Sequence, residues 1–142
     1  MIKPHGSDTL MPLYVMDDAK RAELEKEAAG LPSVVMCSAG AANAVMLGGG
    51  YFTPLKGYMN KADAINVAKE MKTADGVFFP VPVVNMLENV DAIKDAKRIA
   101  LKDPNVDGNP VIAIQDVEAI EEFSDDDMKL ITEKVYRTDD ME

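Results

Sequence analysis

Cys37, His5 and the run Gly48-Gly49-Gly50 are the residues from which this sequence could build a nucleophile, a proton carrier or an anion cradle. A thiolate nucleophile needs a base within reach, and the single histidine, His5, lies beside the N-terminus, far along the chain from Cys37. Val34, Val35 and Met36 precede Cys37, so its thiol is expected to be buried and inert. His5 reads as a surface or terminus-docking residue. A serine triad would have to borrow the same histidine, and no cluster of His and Cys is available for zinc. One cysteine excludes an intrachain disulfide and gives no sign of an oxidising compartment.

Three consecutive glycines can expose backbone N–H groups to a phosphate. Here the context is wrong, because Gly50 leads into Tyr51-Phe52-Thr53-Pro54 and not into the Gly-Lys-Ser/Thr that opens a helix in a Walker loop. Pro54 favours an extended course for the residue before it. The glycines are expected to stop a helix and make a turn. Asp125, Asp126 and Asp127 could bind a hard cation, but consecutive carboxylates on one helical turn fan out around the axis and no EF-hand spacing is present. Capping is the better account, each acid stabilising a helix N-terminus by about 0.3–1 kcal/mol at low salt. Lys94, Lys97, Arg98 and Lys102 form the densest basic run and read as a solvated face.

The elements that must carry these residues are recognisable from caps and periodicity. Residues 1–16, punctuated by Pro4, Gly6 and Pro12, suit an extended arm with a short strand at 13–16. Asp17 and Asp18 cap a helix of good formers that Gly30 ends in the C′ position, with Pro32 beyond. A buried strand is expected at 33–37 and a small-residue helix at 39–46. Asn60 caps a helix with Ala64, Ile65, Ala68 and Met71 on its apolar side and Asn66, Lys69 and Glu70 facing water. Asp75-Gly76 is a turn signal, and the proline-punctuated stretch at 77–84 reads as an edge or bulged strand. A helical turn at 88–96 precedes a β-hairpin around residues 104–108. Ser124 caps a last helix with Met128, Ile131 and Val135 as its stripe. The sum is an acidic α+β domain without a visible catalytic constellation.

With 142 residues and 47% apolar content, one domain with a sizeable core is expected. The formal charge of −10 is concentrated late: residues 115–142 hold 11 acids against 3 bases, a net of −8. Such a balance argues against binding nucleic acid, whose affinity comes from Lys and Arg releasing counterions, and against an anionic membrane surface. No apolar run reaches signal-peptide or membrane-spanning length, so the expectation is a cytoplasmic protein.

Several segments together carry a family likeness. The stretch GGGYFTPLKGYMN at residues 48–60, KPHGSD at 3–8 and LPSVV at 31–35 resemble the N-terminal region of bacterial ATP sulfurylases, also called sulfate adenylyltransferases. The likeness continues through PVPVVNMLE at 80–88, RIALKDPNVDGNPVIAI at 98–114 and VYRTDD at 135–140, so it spans practically the whole chain. The resemblance implies a PUA-like domain over residues 1–142, a small mixed β-barrel with helices packed around it. It further implies an enzyme that makes adenosine 5′-phosphosulfate and pyrophosphate from ATP and sulfate, with Mg²⁺ accompanying the nucleotide, and a homo-oligomeric assembly.

In the family the phosphate-binding groups lie in motifs of the type Q-x-R-N-P-x-H-x-x-H and G-R-D-H-A, in the domain after this one. Neither is present: the only arginines are Arg21, Arg98 and Arg137, and none sits in such a motif. The sequence also stops where the family's chain runs on. The expectation is therefore a noncatalytic N-terminal domain, without a cofactor, metal or substrate residue of its own, whose partner is a C-terminal catalytic nucleotidyltransferase domain. The loop at 51–60 is the candidate surface for that partner, because Tyr51, Phe52, Leu55, Tyr58 and Met59 are more apolar than a free loop warrants; the competing account is that they fill the domain's own core. A rival reading is a stand-alone PUA-like module binding a small molecule or a protein.

Overall fold

A computed structural model describes residues 2–139. The chain divides into two compact units, one made of Met1–Gly57 and Asn85–Ile120, the other of Tyr58–Val84 and Glu121–Glu142. Each is built from its own helices.

The first unit contains helix α1 (Asp18–Ala28), strand β1 (Ser33–Val35), helix α2 (Ser38–Gly48), strand β2 (Arg98–Lys102) and strand β3 (Val111–Asp116). Asp17 caps α1 by accepting from the Lys20 amide at 2.7 Å. Gly30 stands at C′ as expected, but without a left-handed conformation: Ala29 is right-handed and Gly30 N–H donates to the Glu27 carbonyl at 2.9 Å in a tightened last turn. The strands form one sheet in the order β1-β2-β3, with β1 parallel and β3 antiparallel to β2. As the middle strand, β2 buries Ile99, Ala100 and Leu101 in succession, so its sequence shows a continuous apolar run and no alternation. The hairpin around 104–108 forms as expected, with an irregularity in register between Leu101 and Lys102. Among the described residues the sheet has three strands and is not closed into a barrel.

Two expected features of this unit are corrected. Residues 13–16 are not a strand; the amides of Leu13 and Tyr14 both donate to one carbonyl, that of Gly48, at 2.9 and 3.1 Å, which fixes the arm without a ladder. Cys37 is exposed, because it is the N-cap of α2 and its sulfur accepts from the Gly40 amide at 3.3 Å, while Met36 beside it carries the burial.

The second unit contains helix α3 (Lys61–Glu70), helix α4 (Asp125–Ile131) and a π-helical stretch, Thr132–Tyr136. Asn60 caps α3 as expected, accepting from the Asp63 amide at 2.8 Å. Ala64, Val67 and Ala68 are its buried residues; Met71 is the left-handed C-cap and half-exposed, and Asn66 turns inward to donate to the carbonyls of Lys72 and Thr73. The stretch at 77–84 forms no strand beyond a single bridge between Lys72 and Phe78, since Pro80 and Pro82 have no N–H to give to a ladder. It is held instead by isolated bonds, Phe79 N–H to the Met71 carbonyl at 3.0 Å and Met59 N–H to that of Val83 at 2.7 Å.

Candidate functional site

The glycine run is saturated by its own chain. The amide of Gly49 donates to Val45, that of Gly50 to Leu47 and that of Tyr51 to Met46, each at 3.0 Å, so no cradle of free N–H groups faces a phosphate. The glycines are required for another reason. A Cβ on Gly48 would lie 2.6 Å from the Tyr14 ring, one on Gly49 would lie 2.6 Å from the Tyr51 ring, and one on Gly50 would lie 2.9 Å from the Pro12 backbone nitrogen. Gly50 also has φ of +76°, a conformation that favours glycine. Residues 51–54 follow as a turn in place of the extended course expected, with a cis Thr53–Pro54 peptide. Thr53 completes the corner: its hydroxyl donates to the Gly50 carbonyl at 2.6 Å and accepts from the Met11 amide at 3.1 Å.

The candidate surface residues separate by unit and by burial. Tyr51 is 75% exposed, while Phe52 and Leu55 are half-buried in the same unit. In the other unit Tyr58 is half-buried and Met59 is buried, its sulfur accepting from the Val83 amide at 3.4 Å. Sequence reasoning missed Leu10, Leu13 and Tyr14, which the arm brings to the glycine corner around Tyr51. The available signal was charge: Thr9 through Met16 and Ala28 through Leu55 carry no charged side chain in a chain that is 28% charged.

Several of the cations are tied locally. Arg21 pairs with Asp18, and Arg98 pairs with Glu27 of α1 at 2.7 Å. Arg98 Nε lies 3.1 Å from Asp116 of β3 at ion-pair distance, but without hydrogen-bond alignment. Arg98 is therefore a half-buried cross-link, while Lys94 and Lys97 are exposed. Lys61 Nζ reaches Asp127 at 2.6 Å and the Glu122 carbonyl at 2.8 Å and lies 5.6 Å from the Phe123 ring centre. Ser124 and Asp127 form a reciprocal capping box on α4. Lys61, and then the Ser124 amide and hydroxyl, lower the Asp127 pKa to about 2. No group of three or more His, Cys, Asp or Glu able to hold a metal exists among the described residues. None of their helices is long and apolar enough to cross a membrane.

The first unit thus presents an open three-stranded sheet, helices α1 and α2, and a corner free of charge. A PUA-like domain model matches residues 2–142, and the chain belongs to the PUA-like domain family. The particular region it matches is the N-terminal PUA-like region of sulfate adenylyltransferases. It is 59% identical to the sulfate adenylyltransferase of Alcanivorax borkumensis over 99% of this chain and 35% of that protein. It is 56% identical to that of Allochromatium vinosum, again over 99% of this chain and 35% of the relative. Among solved structures, the hexameric APS kinase from Thiobacillus denitrificans superposes with a TM-score of 0.69 at 29% identity, over 87% of this chain and 24% of that one. The chain spans about a third of the length of the curated relatives it matches.

Proposed function

We propose that this chain serves as the noncatalytic N-terminal domain of a cytoplasmic sulfate adenylyltransferase, a homo-oligomeric enzyme making adenosine 5′-phosphosulfate and pyrophosphate from ATP and sulfate. Its role is to support the catalytic nucleotidyltransferase domain and help set subunit arrangement. The observation that carries the reading is the 59% identity over 99% of the chain, against 35% of the relative's length. Residues 1–142 act as one PUA-like domain. Of the expected surface residues, Tyr51, Phe52 and Leu55 of the first unit contribute to the surface that meets the catalytic domain, and Met59 fills the core of the second.

The residues present do not suit a magnesium nucleotide. Two of the three arginines are engaged with carboxylates, and no carboxylate cluster of ligand size exists among the described residues. The charge clamp that phosphoryl chemistry needs is assigned to the catalytic domain. The test is a coupled assay for pyrophosphate release from ATP and sulfate by the 142-residue chain. No turnover is expected, and sustained turnover would sink the proposal.

A further inference from the structure

The geometry points to one face of the first unit, the glycine corner carrying Leu10, Leu13, Tyr14, Val45, Met46 and Tyr51, as the seat of the catalytic body of the longer enzyme. This rests on the proposed function and deepens it, naming the seat within that domain's surface. All six side chains are exposed, from Met46 at 37% to Tyr51 at 75%. Their backbones meet at the corner, where the Tyr51 amide also donates to the Met46 carbonyl. The amides of Leu13 and Tyr14 share the Gly48 carbonyl, the Tyr14 hydroxyl donates to the Val45 carbonyl at 3.4 Å, and Leu10 lies against the position a Cβ on Gly50 would take. Tyr14 and Tyr51 rest on adjacent glycines, so both rings are set by the backbone and lose little freedom on being covered.

The chemistry of the face identifies its occupant as protein. Charge is absent from both segments that build it, and aromatic residues with Met are present, the pattern of the fully buried centre of an interface. An apolar patch of this kind on a chain of charge −10 is not the stacking groove of a nucleic-acid binder, which needs cations along it. The occupant is argued from length: relatives of which this chain covers 35% carry nearly two thirds of their residues elsewhere. That body is joined in the same chain and is thus present at high effective concentration.

The experiment grafts this chain in place of the matching residues of the Alcanivorax borkumensis enzyme and, as a second host, the Allochromatium vinosum enzyme. Hydroxyl-radical labelling of Tyr14 and Tyr51 is compared between the isolated 142-residue chain and the grafts. Labelling about fivefold or more slower in the grafts is expected for residues at a buried interface centre. Tyr51→Glu should restore fast Tyr14 labelling in the grafts and leave the isolated chain's unfolding midpoint unchanged. A graft that forms adenosine 5′-phosphosulfate while both tyrosines label as fast as in the isolated chain overturns the assignment and leaves the functional reading standing. Protected tyrosines in a folded, inactive graft support the assignment and count against the functional reading. Protection of the isolated chain as it dimerises with concentration, seen by light scattering, assigns the face to a second copy and also overturns the proposal.

Discussion

Replacing Gly48 by alanine sets two opposing effects of known sign against each other. Gly48 is the last residue of α2 and its φ is not positive, so alanine would ordinarily stabilise the helix by about 0.5–1 kcal/mol. The new methyl, however, would fall 2.6, 2.9 and 3.0 Å from three carbons of the Tyr14 ring, where ordinary contact is about 3.5–4 Å. The ring must retreat by about 1 Å, straining the hydroxyl bond to Val45 and loosening the arm. Overpacking costs about 1–3 kcal/mol, and a ring that is 54% exposed can give way, so about 1.5 kcal/mol is the fitting figure. The net is a loss of about 0.5–1 kcal/mol for Gly48→Ala. In a Tyr14→Ala background the obstacle is gone and the same substitution should stabilise by about 0.5–1 kcal/mol. The double-mutant cycle, read by urea unfolding, therefore predicts a change of sign with a coupling near 1.5 kcal/mol. Equal effects of Gly48→Ala in both backgrounds would refute the claim that the glycine exists to seat Tyr14.

Further outcomes follow from the caps and from the Lys61–Asp127 ion pair. Ser124→Ala removes the hydroxyl that accepts from the Asp127 amide and donates to the Asp127 carboxylate, leaving the backbone N–H at 124 to hold the other half of the capping box, and should destabilise the second unit by about 1 kcal/mol, measured by the urea midpoint. Asp127 has a folded pKa lowered from 3.8 to about 2, so its contribution is full above the ordinary value and is lost as pH falls toward 2. Lys61→Met should raise that pKa toward its ordinary value, an effect that carboxyl NMR titration resolves; an unchanged titration would remove Lys61 as the cause. Cys37→Ser should leave the chain as stable or more so by a few tenths of a kcal/mol, because serine is among the preferred N-caps, and the native thiol should react with a disulfide reagent without denaturant.

Where the sequence was legible, a local rule and the tertiary outcome agreed. Asn60, Ser124 and Asp17 each cap a helix because a side-chain oxygen three residues ahead of an orphan amide suffices, whatever packs nearby. The hairpin of β2 and β3 followed from two apolar runs around a turn. The misses occurred where a second partner decided the result. The apolar neighbours of Cys37 point to burial, but the start of α2 places it at a helix cap. The stretch at 77–84 has strand composition, yet two prolines leave too few donors for a ladder. The π-helical stretch at Thr132–Tyr136 and the left-handed Arg137 after it left no sequence signature, since nothing in TEKVY disfavours an ordinary α-helix.

The glycine corner shows why a motif search and a packing argument read the same residues differently. A phosphate loop and a seat for aromatic rings both require absent Cβ atoms, because both bring something close to the backbone. What separates them is the fate of the N–H groups. In the loop they must point outward and stay free, whereas here those of Gly49, Gly50 and Tyr51 are consumed by the end of α2. The triple glycine therefore brings the arm and two tyrosines to one face without creating an anion site. The charge-free segments on either side have the composition such a face needs if protein is to cover it.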